Sequence, residues 1–322
     1  MKLLIVGDFE GNTGPASVNK TIRGLDASIQ STTQTNKIIR IVEMVYKIKK
    51  SDYIIFSGLS KLNLIGLKVA RVFGKKSAYL MHGYTQLEAK LEGKENLNGG
   101  ELEKKLLYTS TNIICVSKMF MEYMKKIFKD IDYKFSYVMN PVNTEAFKKL
   151  DYIKKDNNLI MSVGGGKRNK RILKVCEAIE MLNSTKNTEY RLLVVGGNGI
   201  DTEKIKSYIF VEYIEKIEYS RMSEYYSKAG IYIQNSEFET FGLAAIEALM
   251  CDCSLVISKN IGCKDILGEK INSYIIEDID SVSEIASRIE YVMDNENNSY
   301  LKEKMYVKSD ILCEFKKIME AK

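Results

Sequence analysis

The chain has 322 residues, too many for one small core and suited to two domains of ordinary size. Its apolar fraction of 45% is that of a globular protein, and no stretch approaches the roughly 20 apolar residues of a membrane-spanning helix. A net charge of +6 comes from basic residues spread along the chain rather than gathered in one run, which argues against a nucleic-acid platform and leaves contact with an anionic membrane surface open. The first residues run straight into a strand pattern without the plan of a signal peptide, so a cytoplasmic protein is expected, with the inner face of the membrane as the open surface. Six cysteines are scattered, several inside apolar runs where a reduced thiol packs as a small hydrophobe. Cys251-Asp-Cys253 lacks companion ligands and reads as structural, and neither a metal site nor a resident cofactor is expected.

Residues 1–7 form a short apolar run of the buried parallel-strand kind, ending in a turn that holds Gly11, Asn12, Thr13 and Gly14 before Pro15 opens a helix. Those four residues are candidates for the acceptor side, because glycine lets backbone approach a ligand; the plainer reading is a strand-to-helix turn. Residues 36–50 read as an amphipathic helix, 53–57 as a strand, 62–73 as a helix and 77–81 as a strand. That last strand delivers His82 at its C-terminal end, where catalytic groups of open α/β sheets gather. His82 is the only histidine of the chain; after a buried strand and before a glycine it sits at an edge, which makes it a candidate active-site group against the plainer structural reading. Glu88 reads as a solvated loop charge, and the polar, glycine-rich residues 90–105 as the mobile segment of this half. A strand at 111–117, a helix at 118–128 and a strand at 135–139 complete it, and the unpatterned charged run at 148–158 reads as the linker.

The second half opens with a strand at 159–163 that ends in Gly164, Gly165 and Gly166, followed by Lys167, Arg168 and Lys170. Three glycines admit a ligand to the backbone, and cations at a helix start oppose the macrodipole, which favours a resident anion such as a diphosphate; the plainer reading is a solvated basic helix start. After a strand at 191–195, residues 231–250 read strand, loop, helix. Leu243, Ile246 and Met250 make one apolar stripe with Glu247 on the same side, and a carboxylate there needs a partner, so Glu247 is expected to face a cavity or a ligand. Glu239 stands in the loop, and N–H groups around Thr240, Phe241 and Gly242 are expected to open the helix as an anion site. Two carboxylates that accept hydroxyl hydrogen bonds beside an anion site suit a sugar carried on a diphosphate. Strands at 255–258 and 273–277, a capping box at Ser281 and Glu284, and a helix at 299–320 follow.

Glu239 and Glu247, in Ser-Glu-Phe-Glu-Thr-Phe-Gly-Leu-Ala-Ala-Ile-Glu-Ala, resemble the Glu-x7-Glu signature of the retaining glycosyltransferases of family 4. The resemblance implies the GT-B fold: two doubly wound parallel-sheet, Rossmann-like domains facing a cleft, with a C-terminal helix crossing back to the first. The domains are expected at 1–147 (acceptor side), 148–298 (nucleotide-sugar side) and 299–322 (the returning helical tail). It implies that His82, Lys170 and Glu239 are catalytic. The donor is expected on Gly164, Gly165, Gly166, Lys167, Arg168, Lys170, Glu239, Thr240, Phe241, Gly242, Leu243 and Glu247, with Glu247 on the ribose. Lys170 matches the family's phosphate-binding lysine, whereas Gly165 stands where its arginine is expected, leaving Lys167 or Arg168 to supply that charge. The implied activity is metal-independent hexosyl transfer from a nucleotide diphosphate sugar, a UDP-sugar favoured, to a glycan or lipid-linked hydroxyl in bacterial-type surface polysaccharide synthesis. Asp130-Ile-Asp132 and Asp278-Ile-Asp280, the Asp-x-Asp pattern of metal-dependent GT-A enzymes, read as surface features. An epimerase or hydrolase of the same architecture, and a non-catalytic partner of an active transferase, remain as alternatives.

Overall fold

A computed structural model describes residues 2–11, 13–34, 36–94, 100–303 and 308–321. The chain divides into two compact units, Met1–Pro141 with Tyr306–Lys322, and Val142–Met305. Among the described residues no helix is long and apolar enough to cross a membrane.

The first unit is built on six parallel strands, β1 (Leu3–Val6), β2 (Gln30–Ser31), β3 (Tyr53–Ser57), β4 (Lys76–Met81), β5 (Asn112–Cys115) and β6 (Phe135–Tyr137), in the order β2-β1-β3-β4-β5-β6. β1 and β5 are buried along their whole length, as strands covered by helices on both faces must be. The chain steps from β1 out to β2 and then back past β1 to β3, so the direction of winding reverses between β1 and β3. Around the sheet, the Asn36 side chain caps helix Lys37–Lys50 and Ser60 caps helix Lys61–Val72. Helix Lys308–Glu320 belongs to this unit and lies against β4.

In the polar stretch 90–105, expected to be mobile, residues 90–91 belong to helix Thr85–Leu91 and 100–105 to helix Gly100–Thr109, and residues 95–99 lie outside the described residues. The second helix is anchored by Glu103, which is 1% exposed and accepts the Thr85 N–H at 2.9 Å, capping the first helix from 18 residues away. Burial pushes the Glu103 carboxyl up to about 7. A cap supplied from so far along the chain leaves no local pattern.

The second unit carries β7 (Asp156–Val163), β8 (Arg191–Val195), β9 (Val211–Ile214), β10 (Ala229–Gln234), β11 (Ser254–Ser258) and β12 (Ile275–Ile276), all parallel, in the order β12-β11-β10-β7-β8-β9. Here the winding reverses between β7 and β10. One face of the sheet presents Ile160, Val194, Ile233 and Val256 to Val175 and Ile179 of helix Ile172–Lys186, and to Ile285 and Ile289 of helix Val282–Asp294. Ser281 accepts the Glu284 N–H at 3.2 Å, the first half of the expected capping box; the Glu284 carboxylate reaches back to the N–H groups of Glu277 and Asp278.

The units part at 141/142, six residues before the expected boundary at 147, because the Phe147 ring packs edge-on against Tyr219 and Tyr226 of the second unit at 5.1 and 6.1 Å. Of the expected tail helix, Asn298–Glu303 and Lys308–Glu320 are described as helical, and residues 304–307 lie outside the described residues. Asn298–Glu303 stays with the second unit, where Asn298 and Lys302 bind Asp252, and Lys308–Glu320 goes to the first. Asp252 itself adopts φ +80, and hydrogen bonds from Lys302 and Lys155 outweigh its burial and hold its carboxyl down to about 2.

Two glycine turns lock together at the ends of β7 and β8. The N–H groups of Gly164 and Gly165 donate to the Val195 carbonyl at 2.8 and 3.2 Å, and that of Gly166 to the Tyr213 hydroxyl at 2.9 Å. Gly165 adopts φ +61, and a Cβ there would collide with the backbone of Gly196 and Gly197. Replacing Gly165 by Ala should therefore destabilise the protein by about 3 kcal/mol in chemical denaturation, while Gly197→Ala, whose Cβ would meet nothing, should stay within about 0.5 kcal/mol. Equal stabilities for the two variants would contradict this packing.

The Glu103 environment yields a pH test with a defined sign. A carboxyl whose pKa is raised on folding costs no stability below its unfolded value and progressively more as pH rises through the folded value. Glu103→Gln should thus match the wild type near pH 4, gain on it between about 4.5 and 7, and hold a lead on the order of 3 kcal/mol at pH 8. A difference in melting temperature independent of pH would refute it.

Candidate active site

In an open parallel sheet the crevice for a ligand forms where winding reverses, at the carboxyl ends of the two strands concerned. In the second unit these are β7 and β10. β7 runs into the Gly164–Gly166 turn and a short 3-10 turn, Arg168–Lys170; β10 runs into the loop that carries Glu239. The Lys170 Nζ forms an ion pair with the Glu239 carboxylate, which also accepts from Gln234 Nε2 at 3.3 Å. The two charged side chains keep 17% and 24% of their exposure, enough for a ligand to reach them. Gly164 makes the pair possible, because a Cβ there would run into the Lys170 stem, 2.5 Å from its Cγ. The loop is fastened on both flanks: Glu237 N–H donates to the Asn169 carbonyl at 2.8 Å, and Glu239 bridges in parallel to Ile261 through Asn260 and Gly262.

Several expectations for this region are corrected. The three glycines do not offer their N–H groups to a phosphate, since Val195 and Tyr213 already accept them. No side chain fits at Gly165, so the family's arginine has no room there; Lys167 and Arg168, beside it, are exposed. Arg171, the last cation of the turn, pairs with Asp280, which ties up one of the Asp-x-Asp carboxylates. The helix begins at Leu243 rather than around Thr240, with Gly242 as its cap at φ +95; Thr240 and Phe241 belong to the loop. The groups that open the helix are therefore the N–H groups of Leu243 and Ala244, both half-buried.

Glu247 is 8% exposed, and the partner its position demanded is a residue of this chain: the Tyr219 hydroxyl donates to Oε1 at 3.3 Å. Burial pushes the Glu247 carboxyl up to about 7 against the pull of the Tyr219 hydroxyl. Tyr219 stands in a 3-10 turn before β10, 28 residues from Glu247, and no local pattern singled it out.

In the first unit the reversal lies between β1 and β3, and His82 follows on β4 beside them. Its Nε2 lies 2.8 Å from Ser57 Oγ at the end of β3. Ser57 Oγ lies 2.6 Å from Asn19 Oδ1, and Asn19 Nδ2 donates to the Asp8 carbonyl after β1 at 2.9 Å. Burial pushes the imidazole down to about 4, so it is neutral near pH 7. Asn19 and Ser57 were not singled out from sequence, although a polar residue three positions from both Ala16 and Ile22, on the buried face of helix Gly14–Gly24, was the available signal.

The nearby turn is self-contained. Asp8 Oδ1 accepts the N–H groups of Glu10 and Gly11 at 3.0 and 3.1 Å, which hold its carboxyl below the usual range, and the side chain folds over Gly11 where a Cβ would stand. Thr13 caps the helix that Gly14 opens, through a 3.3 Å bond from the Ala16 N–H. Gly11, Thr13 and Gly14 stand in the strand-to-helix turn, and Asn12 lies outside the described residues. Glu88, exposed as expected, is part of helix Thr85–Leu91 rather than a loop, and its carboxylate folds over Gly83.

Comparison with solved structures supplies the fold class. Sucrose-phosphate synthase from Thermosynechococcus elongatus matches with a TM-score of 0.72 at 14% identity, over 99% of this chain and 98% of its own. HepE from Anabaena, in complex with UDP and glucose, matches at 0.71 and 10% identity over 100% of both chains. A mutant of TarM from S. aureus, in complex with Fondaparinux, alpha-GlcNAc-glycerol and UDP, matches at 0.65 and 16% identity over 87% of this chain, which spans only 59% of TarM. Identities this low speak for the architecture alone, two Rossmann-like α/β units of the GT-B type. No curated protein matches the sequence. The family model described as "Glycosyl transferases group 1" matches residues 143–308, more than half of the chain, and takes in β7 to β12 with Lys170 and Glu239; by that match the chain belongs to the group 1 glycosyl transferases.

Proposed function

We propose that the protein transfers a sugar from a nucleotide diphosphate sugar, a UDP-sugar before others, to a hydroxyl of a glycan or lipid-linked acceptor, with retention at the anomeric carbon and without a metal ion. The observation that carries this reading is the Lys170–Glu239 pair at the β7/β10 reversal: one cation and one carboxylate, half-exposed, on loops fastened to the sheet. An ammonium has three donors, so Lys170 can keep Glu239 and still meet a phosphate oxygen. In transfer, the bond from the anomeric carbon to the diphosphate breaks, a bond to the acceptor oxygen forms on the same face, and the acceptor proton passes to the departing phosphate. Lys170, with Lys167 or Arg168, would stabilise the charge that develops on the diphosphate, and Glu239 would orient the sugar through its hydroxyls. Glu247 is assigned to the ribose, with Tyr219 at its side. HepE and TarM, each in complex with UDP, support the choice of base.

An acceptor carried on a lipid is supported by helix Lys37–Lys50, which exposes Ile38, Ile39, Val42 and Tyr46 on the face that also bears Lys49 and Lys50. Apolar side chains framed by lysines suit an anionic lipid surface, and we assign the contact with the inner membrane face to this helix.

Binding is tested without knowing the sugar. UDP at 100 times its Kd should stabilise the protein by about 2.7 kcal/mol in a thermal-shift titration, and the absence of a shift with UDP, GDP and ADP alike would overturn the donor site. Catalysis is tested by Lys170→Met, which should lower kcat on the order of 100-fold with a native circular dichroism spectrum. Undiminished turnover would remove Lys170 from the mechanism, and donor consumption that needs no acceptor would favour an epimerase or hydrolase.

A further inference from the structure

The hydrogen bonds that end at His82 can be assigned donor by donor. Asn19 is 1% exposed, and its Nδ2 donates to the Asp8 carbonyl at 2.9 Å, which sets the orientation of the amide and turns Oδ1 to Ser57. Oδ1 can only accept, so the one hydroxyl proton of Ser57 is spent on the 2.6 Å contact with Asn19. What Ser57 offers His82 is a lone pair. The His82 Nε2, 2.8 Å from the same oxygen, has to be the donor.

We propose that Asn19 and Ser57 are positioning residues that hold His82 as its Nε2–H tautomer, making Nδ1 the accepting side of the ring. Any partner at Nδ1 is then a donor, a hydroxyl or an N–H, and never a phosphate oxygen. The identity of that partner as a sugar or acceptor hydroxyl rests on the transfer reading above; the tautomer does not. Burial works in the same direction, because an imidazole pushed down to about 4 cannot stand as a cation at neutral pH to meet an anion. The chain of bonds also occupies the place where a ligand is received: Asp8 follows β1 and Ser57 ends β3, the two strands at which the winding reverses. Ser57 is 5% exposed and His82 half-buried, so the anchor of the ring is closed to solvent.

Because the chain has one histidine, the full-length protein labelled with 15N at histidine shows a single imidazole. At pH 7 its spectrum should report a protonated Nε2 and an unprotonated Nδ1; an Nδ1–H ring or an imidazolium would overturn the assignment. Ser57→Ala, and independently Asn19→Ala should the first variant fail to fold, should let both tautomers populate and lower kcat for transfer about tenfold, the worth of one hydrogen bond. A variant that changes the tautomer and leaves kcat untouched would overturn the positioning role. A wild type with the expected tautomer and no transfer from any donor would instead sink the transfer reading and leave the tautomer standing.

Discussion

A parallel sheet covered on both faces can receive a ligand only at its strand ends, and the reversal of winding decides which ends. In the second unit that constraint brings the turn after β7 and the loop after β10 to one place, and the Lys170–Glu239 ion pair spans them. The pair depends on small residues to exist. Gly164 clears the path of the lysine stem, and Gly165 seats the turn against Gly196 and Gly197. The glycines therefore build the scaffold of the site, and the chemistry falls to the charged side chains they release. A half-buried ion pair of this kind stabilises little by itself. In the proposed function its value is to keep a cation and a carboxylate oriented, partly shielded from water and close enough to be shared with a ligand that carries both phosphate and hydroxyl groups.

The two units use their reversals differently. Around Lys170 the groups are charged and partly open to solvent. Around His82 the hydrogen-bonding groups are uncharged: the Ser57 hydroxyl, the Asn19 amide and, beyond it, the Asp8 backbone carbonyl. A charged cradle suits the anionic part of an activated sugar, whereas a neutral acceptor backed by fixed dipoles suits hydroxyl groups, whose hydrogen bonds need direction more than charge. Glu247 combines both characters, since burial has brought its carboxyl to about 7, within reach of either protonation state near neutrality.

Strand and helix order was legible in the sequence because buried parallel strands leave continuous apolar runs and the helices between them keep their own period, as at 53–57 and 37–50. The Glu239-x7-Glu247 pair was legible through its resemblance to a family signature, and the partner that Glu247 needs was legible from its place beside the apolar stripe of its helix. What stayed hidden depends on contacts between distant residues. Glu103 capping Thr85, Tyr219 reaching Glu247, and the Gly164–Gly166 turn meeting Gly196–Gly199 each join segments from 18 to about 30 residues apart, and no window of sequence contains both partners. The glycine turns show the limit most plainly. Glycine marks a close approach, but the sequence does not say whether a ligand or another turn comes close, and here it is another turn.

The central claim is that the β7/β10 reversal receives the diphosphate of a nucleotide sugar. The most direct measurement is a crystal structure of the full chain soaked with UDP-glucose. The account predicts diphosphate density within hydrogen-bonding distance of Lys170 Nζ, with sugar hydroxyls on the Glu239 carboxylate. Nucleotide density at any other place, with the Lys170–Glu239 pair undisturbed, would contradict it.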